Sequence, residues 1–304
     1  MPTEKGSFHL FRFAGIDVFL HWSWFLVVAY AVRYRQGNYT NMVWNVWEVI
    51  GLFAIVLMHE FGHSLACRQV GGRADKIVLW PFGGVAYVDP PQRPGATLWS
   101  IAAGPLVNVI LAPVLFGLVF LAKVLNWPEA MPNLYQLIKI LFIIDIGLFI
   151  FNILPVFPMD GGQILRSVLW FFLGRSKSLM VATVIGFFGV AAFILLAISQ
   201  GNMWLFLITI FLAMNCWRGF QYARALNQIS KIPRRPGFVC PVCKAAPPAG
   251  TYWRCDVCKS PFDMFASMGH CPHCLAIYDI ARCPDCGKLH PLNEWISPTE
   301  PAKL

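Results

Sequence analysis

The residues best suited to chemistry lie together in the stretch His59-Glu60-Phe61-Gly62-His63. On a helix, residues four positions apart share a face, so His59 and His63 can point at one metal ion. Neutral imidazole is a good zinc ligand, and Glu60 can accept a proton from zinc-bound water. The pattern therefore predicts a zinc site with a general base. The alternative is a chance match, with both histidines satisfied by hydrogen bonds inside a helix bundle.

The setting of this motif favours the metal site. Residues 49–58, which precede it, carry no charge, as is typical of a membrane-spanning helix. Ionisable groups at membrane depth are costly and usually functional. The chain is 57% hydrophobic and only 13% charged, which excludes an ordinary soluble domain. Its net charge of +9 comes mostly from residues at the ends of apolar runs, so we expect no nucleic-acid partner.

Six apolar segments predict a polytopic α-helical membrane protein with about six transmembrane helices embedded in the lipid bilayer. The segments cover residues 15–32, 45–66, 98–124, 135–157, 179–199 and 203–219. Basic residues are abundant on one side of these spans, whereas the other side holds only Arg33, Arg35, Lys123 and Lys139. The positive-inside rule then places both termini, and the His63 end of the second span, on the cytoplasmic side. We expect a multi-pass protein of a bacterial inner membrane.

Residues 76–88 contain two β-prone runs around a Pro/Gly turn. This pattern predicts a small membrane-associated β-hairpin, although a plain interfacial loop fits it equally well. A hairpin beside the metal site would offer an unpaired edge, to which an extended peptide could add as a strand. Gly83 and Gly84 are therefore candidate substrate-binding residues.

The fourth span ends in Asn152-Ile153-Leu154-Pro155-Val156-Phe157-Pro158-Met159-Asp160, followed by two glycines. Prolines and glycines break the helix and deliver Asp160 to the side of the membrane that holds His63. A carboxylate is the expected third ligand of a catalytic zinc, although Asp160 could instead cap the next helix. Asn108 in the third span could bridge helices. We expect Asp145 to face the bundle interior and assign it no role.

Eight of the ten cysteines follow residue 239 as four C-x-x-C pairs: Cys240/Cys243, Cys255/Cys258, Cys271/Cys274 and Cys283/Cys286. They predict two four-cysteine zinc ribbons whose closed ligand shells make them structural. We expect the first four cysteines to share one ion and the last four another, with an interleaved, cross-braced pairing as the alternative. Disulfides are disfavoured on the reducing cytoplasmic side, and iron in a rubredoxin-like site is the other alternative.

The sequence thus predicts a membrane domain over residues 1–230, a basic linker over 231–237, the double zinc ribbon over 238–290 and a tail over 291–304. We expect the linker residues Lys231, Arg234 and Arg235 to contact anionic lipid. Because its zinc sites are closed to water, the ribbon module is expected to recruit a cytoplasmic protein partner.

Over residues 10–225 the chain resembles the site-2 proteases, which are intramembrane zinc metalloproteases, and within them a compact six-span subgroup that includes a sporulation protease. Four motifs carry the resemblance in the family's order: His59–His63, Pro81-Phe82-Gly83-Gly84, Ala103–Asn108 and Asn152–Gly162. It implies that His59, His63 and Asp160 hold zinc and that Glu60 is the general base. It also implies that Asn152 stabilises the oxyanion or holds substrate. Asn108 occupies the family's G-x-x-x-N position and is a further candidate substrate-binding residue.

These residues together predict a zinc metalloendopeptidase with one catalytic and two structural zinc ions. It would cut a transmembrane protein in or near its membrane span, close to the cytoplasmic face, as in regulated intramembrane proteolysis. One alternative is an inactive zinc-dependent binding protein, but such a protein would not need Glu60. The other is a metal transporter, which would more plausibly repeat its motif in two halves.

Overall fold

The computed structural model describes residues 6–26, 28–29, 39–80, 83–201 and 203–296. The chain divides into two compact units, residues 1–224 and 225–304. The helices are α1 (Met42–Gln69), α2 (Pro94–Val124), the short α3 (Trp127–Ala130), α4 (Pro132–Ile153), α5 (Asp160–Gln200) and α6 (Met203–Ser230). Within the described residues, α1, α2, α4 and α5 are long and apolar enough to cross a membrane. The prediction of a helical multi-pass membrane protein is confirmed.

Five of the six predicted spans fall largely within α1, α2, α4, α5 and α6. The backbone of Gly174, with φ 76° and ψ 170°, interrupts helix α5 and divides it into two parts. The fifth predicted span, 179–199, lies in the second part. The first predicted span, 15–32, is wrong at its start: residues Ile16–His21 form a strand. Residues 24–26 and 28–29 are helical, and residues 30–32 lie outside the described part.

A four-stranded sheet completes the first unit, with the order β1 (Ser7–Phe13), β2 (Ile16–His21), β3 (Arg73–Trp80) and β4 (Gly83–Asp89). Strands β2 and β3 pair in parallel, and the other two pairs are antiparallel. The predicted hairpin is β3–β4 and is confirmed, whereas the β1–β2 hairpin was not predicted. The sheet packs on α1, with Ile16 and Leu79 in one buried cluster with Val56. The helix that carries the histidines therefore also anchors the sheet.

Close packing of α1 against α2 depends on Gly62, between the two histidines. A Cβ atom added at Gly62 would lie 2.7 Å from the backbone oxygen of Ala103, which is too close for any side chain. Small residues at a helix contact let two backbones approach, as expected for helices in a membrane. This approach brings Ser100 and Asn108 of α2 within hydrogen-bond distance of the histidine rings.

The second unit contains four short strands, β5 (Trp253–Arg254), β6 (Pro261–Phe262), β7 (Ile280–Arg282) and β8 (Leu289–Pro291), followed by a 3-10 helix over Leu292–Trp295. The indole of Trp295 is fully buried in a core with Phe262, Phe265 and several cysteines. The backbone N–H of Val239 donates to the Trp295 carbonyl at 2.7 Å. Residues 291–296, which we predicted as part of a tail, therefore belong to the folded module.

The basic linker also packs onto this module. The Arg234 guanidinium donates two hydrogen bonds to the Asp285 carboxylate, at 2.6 and 3.0 Å, and Arg235 pairs with Asp263. Burial raises the pKa of Asp263, but hydrogen bonds from the Ala266 and Gly250 amides and from Arg235 outweigh it, so this pKa is below its ordinary value. Arg234 and Arg235 thus have carboxylate partners within the module, and the predicted contact of Lys231, Arg234 and Arg235 with anionic lipid stays a prediction.

Candidate active site and cysteine clusters

His59 and His63 meet Asp160 in the first unit, although Asp160 lies 101 positions after His59 along the chain. The Nε2 atoms of the two histidines lie 3.1 Å apart. One Asp160 oxygen, Oδ2, lies 3.0 Å from Nε2 of His59 and 3.3 Å from Nε2 of His63. Both histidines are buried, as expected for residues within the packed bundle. The three ligand atoms therefore face one point.

This arrangement fits a zinc ion. Ligand atoms about 2.0–2.1 Å from a tetrahedral zinc lie roughly 3.3–3.4 Å from one another, close to the distances observed here. The Nδ1–H of His63 donates to the Ser100 carbonyl at 2.9 Å, so in the neutral imidazole, the form that binds a metal, Nε2 presents a lone pair. That lone pair faces a carboxylate oxygen, which also only accepts. Converging acceptors repel one another unless a cation lies between them. With a metal bound there, zinc would supply Lewis-acid chemistry and an acidic water molecule.

The helix break after α4 places Asp160. Helix α4 ends at Ile153, and α5 begins at Asp160. The N-cap position of α5 is Met159, which makes no side-chain capping hydrogen bond. Asp160 therefore faces the histidines and does not cap the helix, which resolves the alternative left open by the sequence. Asn152, near the end of α4, has its Nδ2 atom 3.4 Å from Nε2 of His59 and so lines the same site.

Glu60 is buried beside the histidines and contacts the sheet. Its Oε2 atom accepts a hydrogen bond from the backbone N–H of Ala86 in β4 at 2.9 Å. Strand β4 lies at the edge of the sheet. The Ala86 N–H therefore points away from β3 and toward the acid. Gly84 has to be small here, because a Cβ atom at this position would lie 2.5 Å from both Cδ and Oε1 of Glu60.

Asn108 and Asp145 lie behind His59. Asn108 is fully buried, and its Oδ1 atom lies 2.7 Å from Nδ1 of His59. Its Nδ2 donates to Asp145 Oδ1 at 2.7 Å. Asn108 thus bridges α1 and α4, as its polar character suggested. Asn108 lies at Nδ1 of His59, whereas His63 and Asp160 lie at Nε2, and its predicted contact with substrate stays a prediction.

The eight tail cysteines form two groups, and the grouping differs from the predicted one. Cys240 and Cys243 lie with Cys283 and Cys286, and the inner pairs Cys255/Cys258 and Cys271/Cys274 lie together. The sequential prediction is wrong, and so is the cross-braced alternative, because the four pairs are nested. Nesting follows from the pairing of the two ends of the module, where Phe238 bridges to Ile296.

The sulfur positions fit tetrahedral metal sites. Four sulfur–sulfur distances between pairs are 3.7, 3.6, 3.5 and 3.6 Å. Thiolates at about 2.3 Å from zinc in a tetrahedron would be roughly 3.8 Å apart, whereas a disulfide would bring them to about 2.05 Å. All ten cysteines are free. The structure thus agrees with the predicted closed zinc sites and contains no disulfide.

Nested pairing makes a specific prediction for the variant C240S/C243S in the full chain. Cys283 and Cys286 should lose their metal and become reactive toward a maleimide, because they share a site with the replaced residues. Cys255, Cys258, Cys271 and Cys274 should stay protected. Mass spectrometry of the alkylated peptides measures this, with C271S/C274S as the matched variant that should expose Cys255 and Cys258 instead. Labelling of Cys255 and Cys258 in C240S/C243S would contradict the nested pairing.

Comparison with known proteins agrees with this architecture. Residues 47–133 and 121–196 match Peptidase family M50. The chain is 34% identical over 205 residues to a zinc metalloprotease of Methanocaldococcus jannaschii, covering 67% of this chain and 58% of that protein. It is 32% identical over 116 residues to stage IV sporulation protein FB of Bacillus subtilis, covering 38% of this chain and 37% of that protein.

A solved structure extends the likeness to the fold. The site-2 protease from Methanocaldococcus jannaschii matches with a TM-score of 0.53 and 31% identity. The match covers 70% of this chain and 95% of that one. The fold and the histidine–aspartate cluster thus define a membrane-embedded metalloprotease scaffold. The chain belongs to Peptidase family M50, the site-2 proteases. It spans less than two thirds of the length of the curated relatives named above.

Proposed function

We propose that this protein is a zinc-dependent intramembrane endopeptidase that cuts transmembrane proteins within or near their membrane span. One observation carries the proposal: a buried carboxylic acid, Glu60, sits beside the His59–His63–Asp160 cluster and is held by the edge strand of a sheet. A purely structural metal site would not need an additional acid. The same observation opposes the alternative of an inactive zinc-dependent binding protein, and it gives a metal transporter no support.

The residues have distinct proposed roles. His59, His63 and Asp160 hold the zinc ion, and Glu60 accepts a proton from the attacking water and later returns it to the leaving amine. Asn152 is positioned to donate a hydrogen bond from Nδ2 to the oxygen that becomes negative as the carbonyl is attacked. Burial excludes bulk water, which strengthens each of these electrostatic interactions.

The substrate is proposed to bind as an added strand on β4. Because alternate residues of a strand point their backbone groups to the same side, Gly84 shares with Ala86 the side of β4 that faces away from β3 and toward Glu60. An extended peptide paired there would pass close to Glu60. A helical substrate has its carbonyls engaged in its own hydrogen bonds, so it has to unwind before cleavage. Pairing with the edge of β4 would replace the hydrogen bonds lost on unwinding.

The variant Gly84→Ala tests the close approach of β4 to Glu60 on which this proposal depends. Its methyl group would meet the Glu60 carboxyl group, so we expect kcat to fall at least about tenfold, a loss of roughly 1.4 kcal/mol in transition-state stabilisation. Zinc content should not change, because the atoms nearest to the new methyl group belong to Glu60 and not to the three proposed ligands. Val85→Ala is the matched control, since its side chain points to the opposite face of the strand. Wild-type kcat in Gly84→Ala would exclude a close approach of β4 to the general base.

The remaining assignments extend the same proposal. One zinc ion is catalytic, and two are structural in the cysteine clusters. The termini and the catalytic zinc lie toward the cytoplasm, in a bacterial inner membrane, as the distribution of basic residues supports. The module of the second unit binds a cytoplasmic protein partner. Regulated intramembrane proteolysis is the proposed cellular role.

A comparison of two cell lines tests the function while the substrate is still unidentified. Cells lacking the native gene would express either the wild type or Glu60→Gln, and their membrane proteins and new N-termini would be quantified by mass spectrometry. We expect some transmembrane proteins to accumulate intact with the variant and to appear as fragments cut within a span with the wild type. Identical membrane proteomes would favour the inactive binding protein.

A further inference from the structure

We infer that Asp145 is a positioning residue that determines, through Asn108, which nitrogen of His59 carries a proton. This inference rests on the proposed zinc site. Asp145 lies in α4, Asn108 in α2 and His59 in α1, so the three residues connect three spanning helices. Asp145 and Asn108 have no exposed surface. The distance from Asp145 Oδ1 to Asn108 Nδ2 and the distance from Asn108 Oδ1 to His59 Nδ1 are both 2.7 Å.

The direction of the hydrogen bonds follows from what each group can do. An ionised carboxylate only accepts, so with Asp145 ionised Asn108 turns its amide NH₂ toward it. The carbonyl oxygen of Asn108 is then the atom that faces His59. A carbonyl oxygen also only accepts, so Nδ1 of His59 has to carry the proton. Nε2 of His59 is therefore left with a lone pair that points at Asp160 and His63.

Without Asp145, no hydrogen bond other than the one to His59 would orient the Asn108 amide within the described part of the chain. The Asn108 side chain could turn over and present its NH₂ group to Nδ1 of His59, which would then have to accept. The proton would move to Nε2, which is the atom needed as a metal ligand. His63 needs no such device, because its Nδ1 faces the backbone carbonyl of Ser100, which cannot be reversed.

The contacts of Asp145 agree with a role in orienting Asn108. Its second oxygen, Oδ2, is buried and has no hydrogen-bond partner among the described residues. The bond from Asn108 is thus the one hydrogen bond that this carboxylate makes in the described part of the chain. An acidic group in an apolar span is costly and is retained where it serves a site. Groups that orient a metal-binding histidine typically change metal affinity by about 10–100-fold when they are replaced.

The test uses a pair of variants in the full-length protein. Asp145→Leu keeps a branched side chain but cannot accept, so we expect zinc affinity at the membrane site to fall about 10–100-fold. The double variant N108D/D145L should bind zinc nearly as tightly as the wild type. A carboxylate at position 108 accepts in either orientation, so it no longer needs Asp145 to hold it in place. A residue needed only for packing would not be rescued in this way.

Competition with a zinc chelator measures the affinity. Thr183→Val is the control for loss of a buried polar group, because within the described residues the Thr183 hydroxyl donates to carbonyls of its own helix, at 2.9 Å. The inference is overturned if Asp145→Leu binds zinc like the wild type, or if N108D/D145L binds as weakly as D145L alone. Failure of the proposed function looks different: the wild type would then hold no zinc at this site, or would hold zinc and cut nothing.

Discussion

Glu60→Gln should abolish peptide hydrolysis while the full chain still binds three zinc ions. Glutamine is close to glutamate in size but cannot take a proton from water, and general-base catalysis contributes about 10²–10⁴-fold to a rate. The Ala86 N–H can still donate to the glutamine oxygen, so the contact with β4 remains. We expect kcat to fall by that factor on any substrate found in the proteomic comparison.

Two measurements on purified Glu60→Gln separate the possible roles of this residue. Metal analysis gives the number of zinc ions per chain, and a cleavage assay gives the rate. Three ions with no cleavage identify Glu60 as the base. Loss of one ion would mean that Glu60 is a ligand or supports the ligands, and unchanged cleavage would remove it from the mechanism.

Asp160→Ala should lower the zinc content of the full chain from three ions to two. Its Oδ2 atom lies within 3.3 Å of both histidine Nε2 atoms, so its removal takes away one of three protein ligands. Two histidines alone leave a catalytic zinc short of the three protein ligands that it usually has. Cleavage should be lost together with the metal.

Asp145→Asn is the matched control, because Asp145 is a buried aspartate in a spanning helix and is not one of the three proposed ligands. Its amide carbonyl can still accept from Asn108, so the chain should keep three ions when zinc is in excess. The two ions that Asp160→Ala retains should be those of the cysteine clusters. Modification of the cysteine thiols should therefore release both ions to a chelator. Three ions in Asp160→Ala would remove this residue from the ligand set.

Features of the molecule that depend on residues close together in the sequence could be predicted. The spacing of His59 and His63 on a helix, the hairpin at β3–β4 and the helix break before Asp160 all depend on neighbouring residues. The β1–β2 hairpin was missed because its alternation is short and overlaps an apolar segment that is read more easily as a helix. Its signal is the turn at Ala14 and Gly15, both with positive φ.

Features that depend on how distant elements meet could not be predicted. Asp145 had no assignable role, because its contact with Asn108 depends on the packing of α2 against α4. The pairing of the cysteines was wrong for the same reason. Spacing within the chain shows which cysteines form a pair, but it does not show which two pairs share an ion.

The nested cysteine clusters impose an order on the folding of the second unit. Twelve residues separate Cys258 from Cys271, whereas 39 separate Cys243 from Cys283. Loop-closure entropy grows with the logarithm of loop length, so closing the outer site first would cost about 1 kcal/mol more than closing the inner one. Once the inner site has formed, the outer loop is effectively shortened, and the second closure becomes cheaper. We therefore expect the inner cluster to form first when the module folds, and the outer cluster to close last and to open first.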